Sequence, residues 1–462
     1  MLELLDVTTS QPVARPLSAP ILEHFRCADL IPEFHLAAKP MGSTGFFRFG
    51  EDLFCFGRST AGSGSPEARG PLFDASRDVW HDGNKIFLPF DVNEVVDNLR
   101  YERYVALSGW QAWIQESWAR DLYYRIRPWL PIGVRKHLQR AYLKDWNTIE
   151  FPSWPIDRSV DVLLERLLIL AMRTRGVSRL PFIWFWPGGH KACAIVTHDV
   201  ETAAGRDFCG QLMDINDGFG IKASFQIVPE ERYAVSPEYL QSIRDRGFEV
   251  NIHGLNHDGD LFRGRQTFLN KAAKINAYAE RFGARGFRSP VLYRNTDWFQ
   301  DLDFSYDMSV PNVARLEAQR GGCCTVMPYF LPGGVTELPL TTSEDYTLFH
   351  VVKDNSANLW KQQMRILLEA NGLMTFLIHP DYVQPKWAQG VYRKLLEEIV
   401  RLRSENDVWV TLPGEVDRWW RQRSVMNLVP DGATWKIEGA GSERARVACA
   451  VLDGNRLVYE FQ

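Results

Sequence analysis

Two histidines four residues apart, His253 and His257 in the run His-Gly-Leu-Asn-His, can aim both imidazoles at one ion from a single turn or tight loop. Alone that spacing is weak evidence. Upstream, Thr-His-Asp-Val-Glu supplies two carboxylates, Asp199 and Glu201, two residues apart. On an extended strand both face the same side. Two neutral imidazoles and one carboxylate, with positions left for water, form the usual set of a hydrolytic metal. The second carboxylate is then free to take a proton from water. A bland alternative, an acid pair in a surface loop, fits poorly with the apolar run Ala-Cys-Ala-Ile-Val that precedes it.

These residues and three others share one kind of position. Asp199 and Glu201 close ACAIVTHDVE, His253 and His257 follow FEVNI, Arg288 ends ARGF, Asp307 follows DFSY, and His379 ends LMTFLI. Each preceding run reads as a short apolar strand, as do KASFQIV, VTELPL and DVWVTLP. Helical patterns lie between several of them, at Pro237–Arg246, Gln266–Phe282, Leu359–Ala370 and Gln389–Glu405. Repeated strand-then-helix with buried strands implies a parallel sheet, open or closed into a (β/α) barrel. In such barrels, residues at the carboxyl ends of strands converge on one face.

The rest of the chain divides around that region. Residues 1–98 read as a small β-containing lobe, with a Gly/Ser/Pro loop at Ser59–Pro71. Residues 99–181 are an aromatic-rich helical segment, with Trp110, Trp113 and Trp118 near helical spacing and a break at Pro128 and Pro131. Residues 182–424 hold the strand–helix alternation. Residues 425–462 form a small β appendage, with Asp453-Gly454 as a hairpin turn. A net charge of −4 gives no basic field for nucleic acid or anionic membrane. Sixteen tryptophans mildly favour a carbohydrate ligand, since flat aromatic rings stack on sugars. Seven scattered cysteines without a CxxC pair suggest neither a zinc ribbon nor a disulfide framework, and reduced thiols in a cytoplasmic setting are the simplest expectation. The N-terminal run lacks the pattern of a secretory signal, and no stretch is long and apolar enough to span a bilayer.

At these residues the sequence resembles the NodB-homology polysaccharide deacetylases (carbohydrate esterase family four), which are deformed (β/α) barrels. Thr-His-Asp-Val-Glu is similar to the family's variant first motif, Asp-x-Asp, with Asp199 at the catalytic base and Glu201 at the metal ligand. His253 and His257 match the two ligating histidines of the second motif, with Gly254 where Ser or Thr is expected. Arg288-Ser289-Pro290 matches the third motif, whose Arg pairs with the base, but Val291 stands at its Tyr and Tyr293 lies two residues on. Leu377-Ile378-His379 matches the fifth motif, whose His is the general acid. In the fourth, Asp307 takes the place of the Asp that tunes that His, and Pro311 stands where Trp is expected. The aromatic-rich N-terminal lobe running into Phe-Trp-Pro-Gly-Gly also resembles deacetylase-like proteins of bacterial surface-polysaccharide (exopolysaccharide) clusters.

The resemblance implies a hydrolase that removes an N-acetyl group from an amino sugar of a polysaccharide or its precursor. Its divalent metal, zinc before others, would be held by Glu201, His253 and His257. Asp199 would be the base, Arg288 its partner, and His379 the acid, assisted by Asp307. The partner is an N-acetylated sugar or glycan, with no nucleic acid and no integral membrane segment. Two other readings stay open. One is the same fold acting on another C–N bond, a formamide or cyclic amide. The other is a catalytically silent carbohydrate-binding barrel, for which the altered third and fourth motifs speak. Elsewhere, Cys323-Cys324, Trp419, Trp420, His198 and His350 read as structural, and Asp258 either supports His257 or caps the next segment.

Overall fold

The computed structural model describes residues 15–27, 30–105 and 146–462. The tryptophans at 110, 113 and 118 and the prolines at 128 and 131 lie outside the described residues. The alternation begins with β1 (Ala192–Val200), buried along all nine residues. A parallel strand covered on both faces needs such a continuous buried run. There follow α1 (Ala203–Gly218), β2 (Ser224–Ile227), α2 (Pro237–Arg244), β3 (Glu249–His253), α3 (Arg265–Phe282), β4 (Gly286–Arg288) and β5 (Tyr306–Asp307). Next come β6 (Tyr329–Phe330), β7 (Thr336–Glu337), α4 (Asn358–Glu369), β8 (Leu373–Ile378), α5 (Lys386–Glu405), β9 (Val408–Thr411) and α6 (Pro413–Val425).

Neighbouring strands run in the order β6-β7-β5-β4-β3-β2-β1-β8, with β9 against the first half of β1. All pair in parallel except β6 with β7. Past β7 the sheet curls onto β8 through side chains instead of a ladder. The Thr341 hydroxyl donates to the Leu373 carbonyl and the Thr342 hydroxyl to that of Thr375, each at 2.7 Å. The architecture is a deformed (β/α) barrel. The runs around Gly286, Tyr306 and Thr336 shrink to ladders of two or three residues, because the chain leaves the sheet as soon as it has delivered Arg288, Asp307 or Glu337.

One helix, α1, has no strong sequence signal, since Gly205, Gly210 and Gly218 weaken it. Tertiary contacts supply what propensity lacks. The Thr202 hydroxyl accepts from the Gly205 N–H at 3.1 Å and donates to Asp381 at 2.7 Å, while Leu212, Met213 and Ile215 sink into the core.

Outside the barrel, Met41–Arg48 pairs with Phe54–Ser59, and Glu33–Leu36 and Trp80–Asp82 flank Lys85–Leu88. The C-terminal segment makes one hairpin from Asn427–Asp431 and Thr434–Glu438. A second joins Val447–Asp453 to Arg456–Phe461, and Arg179–Ile183 pairs with its free edge. Lobe, Ser159–Arg175 helix and appendage share one apolar core with one side of the barrel, while α1 to α5 and the sheet share another. Buried polar ties join them. Arg423 donates to the carbonyls of His24, Ile183 and Trp184, and Arg294 pairs with Glu102 at 2.6 Å. Removing one partner of such a buried pair costs about 3–5 kcal/mol. Among the described residues no helix is long and apolar enough to cross a membrane.

Candidate active site

The carboxyl ends of β1, β3, β4 and β8 bring Asp199, Glu201, His253, His257, Arg288 and His379 together. His253 is the last residue of β3, and its Nδ1 lies 3.2 Å from the Arg288 carbonyl. That contact puts the ring proton on Nδ1 and turns the Nε2 lone pair into the site. There Nε2 lies 3.5 Å from Glu201 Oε1 and 3.7 Å from Asp199 Oδ2, buried and without a hydrogen-bond partner. His257 Nε2 lies 2.8 Å from the same Glu201 oxygen. Ligand atoms of Glu201, His253 and His257 all fall within 4.8 Å of one another. A buried imidazole nitrogen with nothing to bond, facing a carboxylate and a second imidazole, is what a divalent cation would satisfy. The donor set therefore fits such an ion.

Asp199 is fixed from the other side. Arg288 Nη1 donates to Asp199 Oδ1 at 3.0 Å and to the Thr197 hydroxyl at 2.8 Å, and its Nε donates to the Met308 carbonyl at 3.0 Å. Burial alone would raise the Asp199 carboxyl, but Arg288, His253 and His379 outweigh it and hold it below the usual range. Burial would likewise raise Glu201, and the hydrogen-bonded His257, with His253 and His379, pulls it well below. Arg232 Nε donates to the Glu201 carbonyl at 2.9 Å and anchors the backbone behind it.

The contact with His379 expected of Asp307 is made by another residue. Asp307 accepts from the Ser309 N–H at 2.8 Å and its hydroxyl at 2.7 Å, and shares a buried hydrogen bond with Glu337, whose carboxyl is pushed up by burial and by Asp307 itself. It makes no hydrogen bond to His379. Asp345 does: its Oδ1 lies 2.7 Å from His379 Nδ1 and its Oδ2 accepts the His379 backbone N–H at 2.8 Å. Burial would lower His379, but Asp345, with help from Glu201, raises it well above the ordinary value. Asp345 opens the helical turn that runs into Thr347–Val352 after β7, so no strand-end signal marks it. Its one sequence cue is the acid pair Glu344-Asp345.

The departures from the family pattern have physical reasons here. Gly254 has φ +62°, and a Cβ on it would sit 2.4 Å from Pro290, so neither Ser nor Thr fits beside this proline. Val291 and Leu292 both adopt left-handed backbone, φ +59° and +53°, directly after Pro290. For a β-branched residue that is a true outlier, of the sort that clusters at functional sites. Leu292 meets Leu340 and Leu377 in a small apolar group, on a side of β8 that also presents His379. Pro311 pairs with Leu340 through a parallel bridge.

The remaining candidates serve structure. Asp258 accepts from the Asp260 N–H at 2.9 Å and pairs with Lys271, capping the segment after His257. His198 faces away from the site toward Asn216, at 3.0 Å. Trp419 donates to the Phe185 carbonyl at 2.8 Å from a fully buried position. Burial pushes the thiols of Cys323 and Cys324 up, which makes them poor nucleophiles.

No family model and no curated protein matches this sequence. Solved structures do. One, from Mycobacterium smegmatis, is described as a polysaccharide deacetylase; it shares 19% identity over 55% of this chain and 98% of its own, with a TM-score of 0.43. A Puue allantoinase shares 13% identity over 51% of this chain and 92% of its own, with a TM-score of 0.41. A Bordetella bronchiseptica protein, described as a polysaccharide deacetylase involved in O-antigen biosynthesis, shares 18% identity over 51% and 84%, with a TM-score of 0.31. The solved structures to which this chain is similar thus include polysaccharide deacetylases.

Proposed function

We propose that this chain is a metal-dependent hydrolase that removes an N-acetyl group from an amino sugar of a polysaccharide or its precursor. The observation that carries the reading is one cluster of side chains that joins a Glu-His-His donor set, an arginine-held carboxylate and a carboxylate-held imidazole. A silent barrel needs none of these buried polar groups, and each costs stability to keep. A divalent ion held by Glu201, His253 and His257, zinc before others, would supply Lewis-acid polarisation of the acetamide carbonyl and acidify a water.

The chain's own residues supply the proton transfers. Asp199, kept ionised by Arg288, accepts the proton of the attacking water at Oδ2, the oxygen not engaged by Arg288. His379, kept protonated by Asp345, gives the proton on Nε2 to the departing amine. Such groups each contribute on the order of 10²–10⁴-fold. Leu292, Leu340 and Leu377 offer an apolar seat for a group as small as the acetyl methyl. Thr197 and the Met308 carbonyl hold the Arg288 guanidinium in plane, so the base does not turn away when the water approaches.

The test is product analysis with zinc-supplied protein on a panel of N-acetylated glycans, an N-formyl sugar and a cyclic amide. Acetate with a matching free amine supports the reading. Formate or a ring-opened product alone moves the chain to another C–N bond. No product from any member of the panel returns it to a binding role.

A further inference from the structure

A buried ion pair reaches from the N-terminal lobe to the loop after β4, outside every motif of the site. Glu102 stands just past the Val92–Arg100 helix with left-handed backbone, φ +57°. Its carboxylate meets Arg294 in a bidentate fork, Nε donating to Oε2 at 2.6 Å and Nη2 to Oε1. The Gly322 N–H donates to the same Oε1 at 2.6 Å, and a Cβ on Gly321 would lie 2.4 Å from it. The Gly-Gly pair thus leaves room for this carboxylate. Both side chains of the ion pair are shielded from water. The remaining arm of Arg294 turns to the active-site loop: Nη1 donates to the Leu292 carbonyl at 2.8 Å. The Arg294 backbone is itself fastened to the Gln319 side chain by hydrogen bonds of 2.9 and 3.1 Å.

Leu292 is where that contact matters. With Val291 it forms two successive left-handed residues, neither of them glycine, a conformation that persists only when its surroundings impose it. On one side of the turn Pro290 packs against Gly254, next to His253; on the other Leu292 meets Leu340 and Leu377, the latter two residues before His379. The turn therefore lies between the metal donors and the proton donor. Its internal hydrogen bonds are long, 3.2 Å from the Leu292 N–H to Ser289 and 3.2 Å from the Tyr293 N–H to Pro290, whereas the bond from Arg294 is short and charge-assisted. A simple fastening of lobe to barrel has no need of the Leu292 contact; Arg423 makes such a fastening on the carbonyls of His24, Ile183 and Trp184. We infer that Glu102, acting through Arg294, is a positioning residue of the active site: it fixes the Leu292 carbonyl, holds the left-handed turn, and so sets the size of the acyl group that the apolar seat admits. Lobe and barrel then work as one catalytic unit. This rests on the deacetylase reading and deepens it.

The test uses the zinc-supplied full chain with an N-acetylated glucosamine tetramer and its N-propionylated counterpart, measuring the acid released. An apolar seat separates groups one methylene apart by about 10–200-fold, so wild type should prefer acetyl in kcat/KM by about tenfold or more. Arg294→Lys keeps the charge that faces Glu102 but lacks the fork that also reaches Leu292. It should pull the ratio toward unity, as should Glu102→Gln. Arg423→Lys, which loosens the other tie, should leave the ratio at its wild-type value. Loss of folded protein lowers both rates together, so the ratio reports the seat and not stability. Hydrogen exchange adds a readout that needs no substrate. The Tyr293 amide should exchange faster in Arg294→Lys and Glu102→Gln than in wild type, and at the wild-type rate in Arg423→Lys. An unchanged ratio in Arg294→Lys or Glu102→Gln, an equal fall in Arg423→Lys, or a wild type that cleaves both acyl groups equally overturns the positioning role. No acid from either substrate with wild type sinks the deacetylase reading on these sugars, and the exchange rates then decide alone whether Glu102 holds the turn.

Discussion

Replacing Asp345 by Asn is the perturbation that the site geometry defines most sharply. Asp345 is fully buried and meets His379 twice, at Nδ1 (2.7 Å) and at the backbone N–H (2.8 Å). Hydrogen bonds to a charged group contribute about 1.5–3 kcal/mol each. Asn keeps one oxygen acceptor and the shape, so the fold should survive, but the negative charge that raises His379 is gone. The sign follows from the shift. An acid catalyst is active below its pKa, so a lower His379 pKa moves the alkaline limb of the pH–rate profile to lower pH. At neutral pH the turnover should fall on the order of 10²–10⁴-fold, the range for a proton-transfer group that has lost its protonation state. Asp307→Asn, whose side chain hydrogen-bonds Ser309 and Glu337 and not His379, should cost far less and leave that limb in place. Acetate release between pH 5 and 9 for both variants decides it. An unshifted limb in Asp345→Asn, or a larger loss in Asp307→Asn, would refute the assignment of Asp345 as the partner.

Three further outcomes follow from the same geometry. Asp199→Asn should retain the metal and lose turnover by roughly 10²–10⁴-fold, whereas His253→Ala should lose the metal, as elemental analysis of the two purified variants would reveal. Gly254→Ser should destabilise by about 1–2 kcal/mol for the left-handed backbone alone, with the clash on Pro290 added, read as a lower denaturant midpoint at unchanged slope. Glu249 lies under the barrel, where burial raises its carboxyl to about 7. The folded state then binds the extra proton between the two pKa values, so wild type should lose stability as pH rises from 5 to 8. Relative to Glu249→Gln the loss should be about 1–3 kcal/mol, measured as the difference in unfolding free energy.

Much of the site is legible in the sequence because β1, β3, β4 and β8 are short apolar runs that stop at polar residues. That grammar brings Asp199, Glu201, His253, Arg288 and His379 to one end of the barrel. What the grammar misses is whatever sits off a strand. Asp345 lies 34 residues before His379 at the start of a helical turn, and only the fold reveals that the two meet. The motif pointed to Asp307 instead, whose strand end puts it against Glu337 and Ser309, away from His379. Gly254 is visible in the sequence as a departure, but the reason is Pro290, a residue from a different strand's loop.

The central claim is that Glu201, His253 and His257 hold one catalytic ion. Its most direct test is a zinc titration of chelator-treated protein, followed by acetate release from an N-acetylated glycan oligomer. Activity should rise to a plateau at one equivalent of zinc in wild type and stay near zero in Glu201→Gln, which keeps the side-chain length but removes the charge. Full activity in the zinc-free protein, or wild-type zinc affinity and turnover in Glu201→Gln, would contradict it.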